Sequence, residues 1–181
     1  GSFWPRRTPS SPLDTCQTFA TNRIMPAMHF RDELVTGLPT GPWLASQAAV
    51  MRAHMVAPAW AALIVLDLDH LRYFNWLESL AEGDNVLRDV AAWLRRAALP
   101  GDLVARIAGG EFAMLRMVAS SADASAFAQT LSQDIAELLK PRVSSSVQKA
   151  FDELIASNSR VQQPAQPLTV CAGVVSFGAT D

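Results

Sequence analysis

The sequence has two cysteines, three histidines and one tyrosine, and no apolar run in it approaches the roughly eighteen residues needed to span a bilayer. Each scarcity excludes something. Cys16 and Cys171 lie far apart without metal-ligand spacing, so neither a disulfide framework nor a zinc motif organises the chain, and a reduced, cytoplasmic setting follows. Cys171 stands in an apolar stretch, where a small buried thiol is the ordinary reading. His29, His54 and His70 show no mutual spacing that suggests a metal centre, and packing is the expected role of His70. Neither sign of charge is in excess: 15 Lys and Arg against 17 Asp and Glu give a net charge of -2. That balance leaves no electrostatic footprint for nucleic acid and no basic surface for a membrane contact. No charged-then-apolar signal peptide opens the chain.

What is present is a core. Half of the 181 residues are hydrophobic and 18% are charged, which suits one globular domain of ordinary size. Residues 1–28 are rich in Pro, Ser, Thr and Arg without periodicity and read as a linker or N-terminal arm, leaving the domain to residues 29–181. After a turn at Gly41-Pro42, Trp43, Leu44, Ala48, Met51 and Met55 recur at helical intervals. "WAALIVLDLD" (60–69) reads as a central strand buried on both faces. Beyond an irregular stretch, "GDNVLRDVAAWLRRAA" carries Val86, Leu87, Val90, Ala91 and Leu94 on one helical face, with Asp84 near its start and Pro100-Gly101 as its stop. "DLVARIA" and "EFAMLRM" flank Gly109-Gly110 and predict a hairpin. Two more amphipathic helices follow, around residues 124–138 and 147–155; then comes a Gln/Pro-rich loop, then a last strand, "LTVCAGVVSF". The order predicts an α/β layered fold.

Asp67 and Asp69 stand two apart on the predicted strand, so both point to one face near its C-terminal end. A hairpin packed beside it would bring its tip to the same edge. Carboxylates that meet a Mg²⁺ and substrate phosphates are a common way to build a phosphoryl-transfer site.

The stretches "LDLDHLRYFN", "EGDNVLRDVAAWLR", "RIAGGEF" and "LTVCAGV", in this order and spacing, resemble the GGDEF domain, the catalytic unit of diguanylate cyclases. The resemblance runs from about Arg31 to Phe177. Upstream, "ELVTGLPTGPWL" looks like the family's opening motif, with Glu33 for its acid and Thr36-Gly37-Leu38 kept, while Thr40 and Gly41 replace the usual Asn and Arg. The resemblance implies a nucleotidyl-cyclase-like palm: an α+β sandwich with a central, mostly antiparallel sheet flanked by helices. It also implies an activity, the condensation of two GTP molecules to cyclic di-GMP across two facing domains. By position, Asp67 and the Leu68 backbone carbonyl would hold the metal, a Mg²⁺ accompanying the bound nucleotide. Asn75 and Asp84 would hydrogen-bond guanine, whose edge offers an acceptor and paired donors. Arg72 stands where a phosphate-facing lysine is usual.

The hairpin tip departs from the pattern. Arg106 to Phe112 keeps the family's spacing, so nothing is deleted. Ala108 replaces the first glycine, Gly109 keeps the second, and Gly110 replaces the acid that ligates metal and helps deprotonate the attacking hydroxyl. Glu111 matches the next acid. Faces alternate along a strand, so Glu111 serves as the catalytic ligand only if the turn is rearranged by one residue. Of the family's inhibitory "RxxD" site, Asp102 is retained but Leu99 stands where the Arg belongs, and cyclic di-GMP is not expected there. The family's C-terminal helix is not represented. The expectation is a degenerate regulatory module of cyclic di-GMP signalling, cytoplasmic, belonging to a larger bacterial signalling protein. It would bind GTP, a protein partner or a second copy, with cyclase activity absent or very low. The alternative is an active cyclase with a non-standard AGGEF tip.

Overall fold

The computed structural model describes residues 32–157 and 167–179. The N-terminal arm read over residues 1–28, Cys16, His29 and most of the Gln/Pro-rich loop lie outside the described residues. In chain order the elements are α1 (Gly41–His54), β1 (Trp60–Asp69), α2 (Leu71–Leu77), α3 (Leu80–Ala97), β2 (Leu103–Ala108), β3 (Glu111–Val118), α4 (Ser121–Leu139), a short 3₁₀ turn (Lys140–Arg142), α5 (Ser145–Ala156) and β4 (Thr169–Gly178). The strands form one antiparallel sheet of four, ordered β2-β3-β1-β4. This is the open palm-like sheet with flanking helices that the sequence predicts.

β1 is central because its sequence tolerates burial on both faces. Ile64, Leu66 and Leu68 join Val86, Val90, Leu94, Leu131 and Ile135 in the larger core, under α3 and α4. Ala61 faces the other way, with Leu44 and Met51 of α1 and with Ala105, Ala113 and Leu115. Its pairing with β3 runs without interruption from Trp60↔Val118 to Asp67↔Glu111.

Two local readings need correction. The stretch expected to be irregular contains α2, set off by His70 in the left-handed region (φ 62°) and anchored by buried Leu71 and Phe74. The next helix starts earlier than Gly83: Ser79 caps it, its hydroxyl accepting from the Glu82 N–H at 3.1 Å. Ser79-x-x-Glu82 is a capping box pattern, and it outweighs the cost of a glycine inside the first turns. Asp84 therefore lies within α3 rather than at its head. Cys171 corrects a third expectation. β4 is an edge strand, and the thiol is exposed, donating to Asp69 Oδ2 at 3.0 Å. That carboxylate holds the thiol's pKa above its ordinary value, with burial adding to the effect.

A cleft beside the hairpin tip

The chain's N-terminal turn, α3 and the hairpin are tied together by arginines. Arg106 donates through Nη1 to Glu33 at 2.5 Å, and through Nε and Nη2 to the Gly109 carbonyl at 3.0 and 2.7 Å. A register shift between Arg106 and Ala108 frees the strand to turn its guanidinium back onto its own tip. Arg95 Nη2 donates to the Thr36 carbonyl at 2.9 Å, and Arg88 Nε to that of Val35 at 3.2 Å. Burial of Glu33 works to raise its pKa. The Thr36 hydroxyl, the Thr36 and Val35 backbone N–H groups and Arg106 outweigh it, leaving the pKa at about 2.

This gives a pH prediction. A carboxylate whose folded pKa is depressed contributes stability above its unfolded pKa and loses it as pH falls toward the folded value. The Glu33 contribution is therefore full above the ordinary value of 4.5 and disappears progressively down to about 2. Thermal melts of the wild type and Glu33→Gln should differ most above pH 5 and converge as the pH falls through that window; a constant gap would refute the assignment.

Next to this staple lies an open cleft of about 520 Å³, lined by Leu68, His70, Leu71, Arg72, Tyr73, Asn75, Gly109 and Gly110. The end of β1, much of α2 and the hairpin tip thus contribute to one concavity. Asn75 is its most informative wall. Its Oδ1 is buried without a hydrogen-bond partner among the described residues, and buried polar atoms are rarely left so. The amide is seated on Gly83 of α3: a Cβ there would lie 1.7 Å from Asn75 Oδ1. Arg72 lines the same cleft, exposed, with no ion pair among the described residues. The His70 ring packs on Phe151 and Tyr73, centroids 5.3 and 6.2 Å away, which agrees with a packing role.

The other predicted site residues are distributed differently. Gly110 lies against β1, its carbonyl accepting from the Leu68 N–H at 3.1 Å. A Cβ on it would come within 3.1 Å of Leu68 Cβ and 3.2 Å of the Leu68 carbonyl oxygen. Asp67, Glu111 and Cys171 are cross-strand partners, so their side chains share the sheet face opposite the buried Leu68 side chain. Neither Asp67 nor Glu111 lines the cleft. Asp69 accepts from Thr169 Oγ1 at 2.9 Å as well as from Cys171. The Asp84 carboxylate lies 3.7 Å from Arg88 one turn on, at the surface. Asp102 is turned inward: its side chain is 5% exposed and takes hydrogen bonds from Arg116 Nε and the Leu99 N–H, both at 2.8 Å.

Sequence reasoning passed over His70 and Tyr73 as lining of this concavity and Gly83 as the seat of Asn75. Gly83 carried a signal, since a glycine inside a helical pattern usually has a packing reason. Tyr73, the chain's one tyrosine, carried none.

The family model described as the diguanylate cyclase GGDEF domain matches residues 34–158. An uncharacterized protein of Sinorhizobium fredii, y4lL, is 33% identical over 102 residues, which make up 56% of this chain and 12% of that protein. The probable diguanylate cyclase DgcT of Escherichia coli is 25% identical over 123 residues, 68% of this chain and 27% of that one. The chain thus spans a small fraction of the curated relatives it matches. Among solved structures, the coiled coil and GGDEF domain of DgcB from Caulobacter crescentus, in complex with c-di-GMP, superimposes with a TM-score of 0.60 at 25% identity, covering 82% of this chain and 70% of that one. Diguanylate cyclase SiaD of Pseudomonas aeruginosa, in complex with its activator SiaC, gives a TM-score of 0.54 at 20% identity over 93% of this chain and 55% of that one, a likeness of fold.

Proposed function

Since the chain belongs to the diguanylate cyclase GGDEF-domain family, we propose that it is a degenerate member: a guanine-nucleotide-binding regulatory module of cyclic di-GMP signalling that does not synthesise cyclic di-GMP. The observation that carries the nucleotide half of this reading is Asn75 in the wall of the cleft, its buried amide oxygen without a partner among the described residues, beside Arg72, which has no ion pair among them. A buried amide without partners costs on the order of 1–3 kcal/mol, a cost relieved by a ligand with a complementary edge. Guanine has one. Arg72 suits the phosphates, and Tyr73 offers a ring at the rim.

The loss of catalysis is supported by the hairpin. Position 110 brings no side chain to the cleft, and the β1–β3 register turns Glu111 toward the face it shares with Asp67 and Cys171. The alternative of an active AGGEF enzyme needs the tip to rearrange so that Glu111, the last pair of the β1–β3 ladder opposite Asp67, leaves that register for the cleft. The inward-turned Asp102 and the Leu99 beside it are the reason to exclude inhibitory cyclic di-GMP from this turn. A cytoplasmic protein partner, or a second copy of the chain, would read the occupied state.

The test has separate readouts. Incubation with GTP and Mg²⁺ should give no cyclic di-GMP by chromatography; sustained turnover would defeat the proposal. Calorimetry should detect GTP binding, weakened about tenfold by Asn75→Ala, the amount expected from losing one buried hydrogen bond. Asp84→Ala in the same assay asks whether that carboxylate leaves Arg88 for the base. Binding that Asn75→Ala leaves unchanged would place the nucleotide elsewhere.

A further inference from the structure

Cyclase domains of this family generally use Mg²⁺, and the side chains here do not fit one in the cleft. Magnesium wants hard oxygen donors, usually one or two carboxylates with the substrate's phosphates. None of the residues lining the cleft is acidic. Asp67 shares the other face with Glu111 and Cys171, the described residues contain no group of three or more His, Cys, Asp or Glu side chains placed to hold a metal ion, and Gly110, at the tip, carries no carboxylate. Of the donor set that the resemblance implies, Leu68 lines the cleft and Asp67 does not. The charge lining the cleft is instead cationic, on Arg72, which nothing else in the described chain neutralises.

We infer that the cleft binds guanine nucleotides without a divalent cation and discriminates little by phosphate number, Arg72 supplying the charge that the metal supplies elsewhere. The inference rests on the nucleotide reading above and narrows it to a ligand class. A metal-bound triphosphate is favoured by a site whose carboxylates hold the metal, because the ion neutralises charge that the protein leaves uncovered. Without those carboxylates, each added phosphate brings negative charge with no fixed partner, while base and first phosphate keep theirs. Guanosine mono- and diphosphates then bind about as well as GTP, and the base sets the affinity. Asn75, held in place by Gly83, reads that base.

The experiment is calorimetry on the full chain with GMP, GDP and GTP, each in Mg²⁺ and in excess EDTA. The expected result is affinities that change less than about threefold on chelation and lie within about tenfold of one another across the series. Arg72→Ala weakens all of them by about tenfold or more, as loss of a charged hydrogen-bond donor does, and Arg72→Lys restores some of the loss. Binding of GTP that appears only with Mg²⁺, or that exceeds GMP binding by more than about a hundredfold in Mg²⁺ but not in EDTA, overturns metal independence and leaves the nucleotide reading standing. If no guanine nucleotide binds in either buffer, the nucleotide reading fails, and this inference with it.

Discussion

Replacing Gly83 by alanine lowers guanine-nucleotide affinity at least about tenfold and leaves the fold intact. The reason is local. A Cβ at this position would stand 1.7 Å from Asn75 Oδ1 and 2.7 Å from its Cγ, distances no packing tolerates. Backbone on either side is firmly placed, α3 being buried along Val86, Leu87, Val90, Ala91 and Leu94, so the mobile party is the Asn75 side chain. It swings out and takes its amide away from the ligand. The helix itself gains up to about 1 kcal/mol from the exchange, which offsets some of the lost packing, so the melting temperature moves by only a few degrees. Glycine at 83 is in this view a positioning residue that acts through Asn75. A double-mutant cycle checks the claim: in an Asn75→Ala background, Gly83→Ala has no further effect on affinity. Full additivity of the two losses would show that Gly83 works by some other route.

The second large effect is on stability. Asp102→Ala destabilises the domain by about 3 kcal/mol or more, lowering the melting temperature by on the order of 10 °C. The Arg116 side chain is 13% exposed. Its guanidinium lies over the Phe127 ring, 3.7 Å from the centroid, and donates to the Ala97 carbonyl at 3.2 Å as well as to Asp102. Removing the carboxylate leaves that cation desolvated without a counter-charge and opens the Leu99–Asp102 turn, where the carboxylate also accepts from the Leu99 N–H. Replacing both partners by apolar residues, Asp102→Ala with Arg116→Met, should cost much less, because no charge is then stranded. Differential scanning calorimetry of both variants decides it: a single variant that melts with the wild type would show that the pair is not the turn's anchor.

The fold was largely legible in the residues because its signals are local. β1 is apolar on both faces over Trp60–Asp69, α3 carries an apolar stripe, and Gly109-Gly110 is flanked by strand-forming runs. What escaped was set by tertiary contact or by weak caps. α2 is only seven residues long, too short for periodicity to separate it from a loop. Cys171 reads as buried from its apolar neighbours, yet β4 is at the edge of the sheet and much of its pattern faces outward. At the site, the vacancy at 110 and the Asn75 position could be read by counting along motifs. That Asn75 leans on Gly83, that Asp102 serves Arg116, and that Asp67 faces Glu111 across two strands depend on registers and helix phases that no single stretch contains.

The seating of the hairpin tip on β1 bears on how such a protein changes over generations. With Gly110 hydrogen-bonded to Leu68 and 3.1 Å between that residue's Cβ and the place a new side chain would begin, an aspartate at 110 is seated only if Leu68 gives way by a few tenths of an ångström. A lineage that gained an acid at this position would do so most easily together with a change in its neighbour on β1, so the two positions are coupled in what they tolerate.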